Sequence, residues 1–86
     1  MSLIELRKGL KEGKIVFGTE RTEKLVKQGK AKGVFMASNV AEEVSESIGK
    51  YCEISGCKLN KLTENSKDLG AICKKPFSIG VCCYIK

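Results

Sequence analysis

Eighty-six residues make one small domain, read as residues 1–86, and a chain of this size buries only about 60–65% of its unfolded surface. Hydrophobic residues at 42% and charged residues at 30% exclude wholesale disorder, and the longest apolar run is too short to span a bilayer. Sixteen Lys+Arg against ten Asp+Glu give +6, which suits a polyanion partner or merely a soluble basic surface, and histidine is absent.

Leu3, Ile4, Leu6 and Leu10 recur at helical spacing, and Gly13 ends that first helix. The stretch up to Gly13 alternates apolar with charged residues and lacks the apolar core of a secretory signal, so a cytoplasmic protein is expected. Residues 14–17 (KIVF) form a β-branched and aromatic run stopped by Gly18, which reads as a buried strand. A second helix is expected over residues 20–28, with Leu25 and Val26 inward and Gly29 as its stop. Residues 33–37 (GVFMA) give the second strand.

Asn39, with Glu42 three residues on, has the form of an N-terminal cap for the third helix. Val44, Ile48, Tyr51 and Cys52 then fall at i, i+4, i+7 and i+8, an amphipathic stripe that Gly56 closes. Residues 57–62 make a weaker third strand. Ser66 is expected to cap a fourth helix carrying Leu69, Ile72 and Cys73, and Pro76 bars its extension. Residues 79–85 complete the set with a strand apolar on both faces. The order α-β-α-β-α-β-α-β, with strands apolar on both sides, requires helices on both faces of the sheet. The expected fold is therefore α/β, a three-layer α-β-α sandwich around a four-stranded mixed sheet.

Catalysis has little to work with. Without histidine the commonest general base is missing, and no serine sits in a nucleophile elbow. The run GTERTEK (residues 18–24) lacks the second glycine and the Lys-Ser/Thr pair of a phosphate loop. A non-enzymatic protein without cofactor is expected. Five cysteines, at positions 52, 57, 73, 82 and 83, include no CxxC spacing. Their apolar surroundings point to core packing, with a metal or redox sensor as the reading of another class.

Two places favour a nucleic-acid ligand. At Gly18 to Lys24 a glycine leaves a strand and opens a helix, whose free N–H groups suit phosphates or base edges, although an ordinary strand-to-helix turn looks the same. At Lys74-Lys75-Pro76-Phe77, cations and an aromatic share a loop, as stacking on unpaired bases requires, unless Phe77 packs inward. Lysines also recur at 24, 27, 30 and 32 and again at 67, 74 and 75, which suggests a basic face.

Four blocks, GKIVFGTERTEKLVKQGKAKGVFMASN, ESIGKYCEISG, NSKDLGAICKKPF and SIGV, together resemble the kink-turn RNA-binding superfamily of ribosomal proteins, the L seven Ae, L thirty e and Gadd forty-five-like proteins. The resemblance runs from Leu3 to Ile85 and is nearest to the archaeal and eukaryotic large-subunit branch. It implies a structural constituent of the large ribosomal subunit that binds kink-turn rRNA beside neighbouring ribosomal proteins, without DNA or membrane. A kink-turn protein of box C/D guide-RNA particles is the alternative within that class. It also implies an RNA-binding set: Gly18, Thr19, Glu20, Arg21, Lys24, Asn39, Lys74, Lys75, Phe77 and Ile79. Gly18 would admit the RNA closely, Lys24 would hold phosphate, Asn39 would bond near the kink, and Phe77 would pack on an unstacked base. Glu20 and Arg21 depart from the family pattern, as does Val44, which stands where the ribosomal branch often has arginine.

Overall fold

The computed structural model describes the backbone of residues 2–86 and the side chains from residue 4 onward, so the expected part of Leu3 in the first apolar stripe lies outside the described residues. The elements are α1 (Ser2–Glu12), β1 (Ile15–Phe17), α2 (Thr19–Lys27), β2 (Ala31–Met36), α3 (Glu42–Ser55), β3 (Lys58–Lys61), α4 (Ser66–Ile72) and β4 (Val81–Ile85). Their order is the expected one. The strands lie as β1-β4-β2-β3, with β4 antiparallel to both β1 and β2, and β2 parallel to β3.

The period of two along a strand divides β4 between two cores. Cys82 and Tyr84 face α1 and α4, where they meet Leu6, Phe35, Leu69 and Cys73. Val81 and Cys83 face α2 and α3, where they meet Val26, Val34, Met36, Ile48 and Cys52. Helices therefore cover both faces, and the three-layer sandwich follows. Each fully buried Leu, Ile, Val or Phe in these layers contributes roughly 1.5–3 kcal/mol of transfer free energy. Four cysteines (Cys52, Cys73, Cys82 and Cys83) are buried and serve as core side chains, while Cys57 is half-buried.

Three local expectations change. Asn39 does not cap α3: that helix starts after Ala41, with no side-chain cap bond. Nor does Ser66 cap α4. Asn65 does, its side chain accepting from the Asp68 N–H at 2.8 Å, and Ser66 is the first helical residue. Strand β2 also begins two residues early, because an irregularity between Ala31 and Gly33 lets Ala31 still pair with Ile85. The Lys32 ammonium lies 5.1 Å from the centre of the Tyr84 ring.

Register decides where the loops emerge. Phe17 pairs with Cys82, and Met36 pairs with both Val81 and Lys61. The C-terminal ends of β1, β2 and β3 and the start of β4 thus share one end of the sheet. The connections holding Gly18, Asn39, Asn65 and Phe77 leave from that end.

Candidate nucleic-acid interface

Gly18 is the residue before α2, at φ 111 and ψ 145, a backbone geometry that L side chains rarely adopt. Its N–H donates to the Val81 carbonyl at 3.0 Å, which ties the turn to β4. Nothing lies within 4 Å of where a Cβ would stand, so the space in front of this turn is open. Thr19, Glu20 and Arg21 follow as the first three helical residues, whose N–H groups have no intrahelical acceptor. Glu20 and Arg21 are exposed and Thr19 half-buried. Lys24 is exposed further along α2, about 7.5 Å in axial rise from Thr19.

Across from this turn runs the loop between α4 and β4. The α4 helix ends with the Lys74 N–H bonded to the Ala71 carbonyl and the Lys75 N–H to the Gly70 carbonyl, at 3.0 and 2.9 Å. This is the Schellman arrangement, which puts Lys74 where glycine is usual, and Lys74 indeed has φ 57. The loop then presses back on its own helix. A Cβ added at Gly70 would lie 2.2 Å from the Phe77 carbonyl oxygen and 3.4 Å from the Ser78 Cα, so only glycine admits this approach. The Ile79 N–H closes the loop on the Ser66 carbonyl at 3.0 Å.

Held in this way, the Phe77 ring is 55% exposed and lies outside β4, so the inward-packing alternative is excluded. A groove of about 380 Å³ brings Gly18, Thr19 and Arg21 together with Lys75, Phe77 and Ile79. Lys75 sets its ammonium 5.1 Å from the centre of the Phe17 ring. Ile79 is only 3% exposed. It belongs to the core and lines the groove as its floor. Asn39 stands in the next connection with its amide bonded to Ser66, the Oδ1 accepting from Ser66 N–H at 2.8 Å.

Sequence reasoning missed Gly70, which sets the height of the Phe77 loop, and Asn65, which starts α4. The Leu-Gly of NSKDLG was visible, but the crowding above Gly70 comes from a loop that folds back from later in the chain. The expected basic face also divides. Lys67, Lys74 and Lys75 lie on α4 or the loop after it, whereas Lys30 lies beside Lys86, where β2 begins and β4 ends. Lys27 is paired with Glu23 at 3.2 Å and sits over the Tyr51 ring.

Four of the five thiols are buried in the two cores. Burial pushes the Cys52 thiol up to about 12. Burial also raises Cys83. Cys73 and Cys82 are free thiols of one core: the influence of Cys73, and then burial, raise Cys82, while Cys73 is lowered chiefly by Cys82 and less so by the charge of Lys75. Among the described residues, no group of three or more Cys, Asp or Glu side chains is placed to hold a metal. No helix among them is long and apolar enough to cross a membrane.

A sequence model of the ribosomal protein L7Ae/L30e/S12e/Gadd45 family matches residues 2–86. The chain belongs to this family. Among its L7Ae/L30e relatives, the large ribosomal subunit protein eL30 of Sulfurisphaera tokodaii is 39% identical over 75 residues, covering 87% of this chain and 71% of the relative. The eL30 protein of Methanothermobacter thermautotrophicus is 36% identical over 75 residues, covering 87% and 76%. The fold has close counterparts in solved structures. A protein of unknown function from Bacillus halodurans superposes with a TM-score of 0.86 at 18% identity, covering 98% of this chain and 83% of that one. The Giardia lamblia 15.5kD RNA binding protein gives 0.81 at 23% identity, covering 98% and 70%.

Proposed function

We propose that the protein is a non-catalytic constituent of the large ribosomal subunit, cytoplasmic with the ribosome, that binds a kink-turn or kink-turn-like loop of rRNA. The observation that carries this is the exposed Phe77 ring set across a groove from the start of α2. Its relatives' names, large ribosomal subunit protein eL30, support the ribosomal part.

The chemistry fits a sharply bent RNA. A kink exposes guanine edges and an unstacked base that a regular A-form groove hides. The N–H groups and side chains of Thr19, Glu20 and Arg21 meet the base edges, the Glu20 carboxylate accepting from guanine donors. Open space at Gly18 admits the RNA backbone, and Arg21, Lys24, Lys74 and Lys75 supply phosphate contacts. Phe77 stacks on the freed base. Asn39 orients the α4 end of the site, and its remaining acceptor capacity faces the RNA. Neighbouring ribosomal proteins meet the faces left outside this end.

The test is Phe77→Ala in a protein shown to be folded. Loss of the stack weakens binding by about 1–3 kcal/mol. Unchanged affinity removes Phe77 from the interface and with it the observation on which the proposal stands.

A further inference from the structure

A second groove, of about 900 Å³, lies between α1, β1 and the C-terminal end of α4. Its floor is apolar, formed by the half-buried Leu10, Ile15, Phe17 and Ile72. Its rim is cationic: Arg7, Lys11, Lys74 and Lys75 are all exposed, and no carboxylate lines it. Arg7 and Lys11 are a like-charged pair at i,i+4, an arrangement that opposes an isolated helix. Among the described residues neither has an ion-pair partner, whereas Lys27 and Lys58 do.

This groove is continuous with the one before α2. Phe17 and Lys75 line both, the ammonium near the ring forming the ridge between them. An RNA seated at Gly18 and Phe77 therefore has a path over that ridge. Apolar floor and cationic rim repeat, on a smaller scale, the stacking platform and phosphate track of single-strand binding grooves.

We propose that the second groove holds an unpaired strand flanking the kinked RNA, with phosphates against Arg7 and Lys11 and a base over Leu10, Phe17 and Ile72. The inference rests on the function proposed above and deepens it. An acidic protein segment meets the same rim, but the shared ridge puts the groove in line with the RNA.

The experiment titrates the full chain with a blunt kink-turn RNA and with the same RNA extended at either end by about four unpaired nucleotides. One extension tightens binding about tenfold, the effect of a stacked base with one or two phosphate contacts. In the Arg7→Gln/Lys11→Gln variant the gain falls below about twofold, and affinity for the blunt RNA stays within about twofold of the parent. Thiouridine in the active extension crosslinks to peptides containing Leu10 or Ile72. Equal binding with and without either extension, while the blunt RNA binds, overturns this inference alone. Crosslinks confined to α3 or β3 overturn it as well. Failure to bind the blunt RNA overturns the proposed function, and the groove assignment falls with it.

Discussion

The Asn39 side chain holds the first turn of α4, its Oδ1 accepting the Ser66 N–H at 2.8 Å and its Nδ2 donating to the Ser66 Oγ at 3.2 Å. With Asn65 capping the Asp68 N–H, two asparagines satisfy the start of a short helix from two connections. Asn39→Ala leaves the Ser66 N–H without its side-chain acceptor and lowers stability by about 1 kcal/mol. Ser66→Ala removes only the bond at the Oγ and lowers it by less, because the backbone bond survives. Urea unfolding of both variants checks the order. A larger loss for Ser66→Ala contradicts it.

Gly70 sets the position of the Phe77 loop, since a Cβ there meets the Phe77 carbonyl oxygen at 2.2 Å. Gly70→Ala forces the loop off α4 at about 1–3 kcal/mol of stability. The helix itself tolerates alanine better than glycine, so the loss comes from the displaced loop. RNA affinity falls with it although no RNA contact has been removed. A Gly70→Ala protein of parental stability and affinity shows that the loop is not held by this contact.

Lys74 carries a lysine where the helix end favours glycine, at φ 57. Lys74→Gly relieves the left-handed strain and raises stability by about 1 kcal/mol. It also removes a cation beside the groove and weakens RNA binding by about threefold to tenfold. Opposite signs in thermal melts and titrations are the signature. A variant that loses both stability and affinity contradicts the strain argument.

The thiols give the protein an alkaline limit. Cys52 is pushed up to about 12 by burial, and Cys83 is raised for the same reason. The folded state then holds protons that the unfolded state releases above its ordinary thiol range. Stability is complete below about pH 8.5 and declines as pH rises toward the folded values. Tyr84 adds in the same direction, raised chiefly by its hydrogen bond to Glu12. Melting temperatures at neutral pH and near pH 10.5 measure the decline. A higher melting temperature at the alkaline point contradicts it.

Much of the fold was legible because periodicity and glycine stops carry it. The stripe of Val44, Ile48, Tyr51 and Cys52 and the apolar β4 specify which surfaces need cover, and the structure supplies two helices to each face. The cap of α4 was misplaced by one residue, from Asn65 to Ser66, and Asn39 was misassigned for a tertiary reason. A short polar side chain in a connection can bond to any nearby free N–H, and Asn39 chose one 27 residues away. Lys24 to Lys32 looked like one basic face because sequence spacing ignores the turn at Gly29, after which the chain reverses into β2. Within the candidate site, Gly18 and Phe77 were visible as local signals. Gly70 was not, since its importance lies in a backbone that returns above it.

The measurement closest to the central claim is a gel-shift titration with a kink-turn RNA at about 150 mM salt, beside the same RNA with its G·A pairs replaced by Watson–Crick pairs. Both RNAs present equal backbone charge and differ in the kink and its base edges. The proposed function predicts tight binding to the kinked RNA and weak, salt-sensitive binding to the control. Equal, weak binding to both contradicts it and reduces the site at Gly18 and Phe77 to a basic surface.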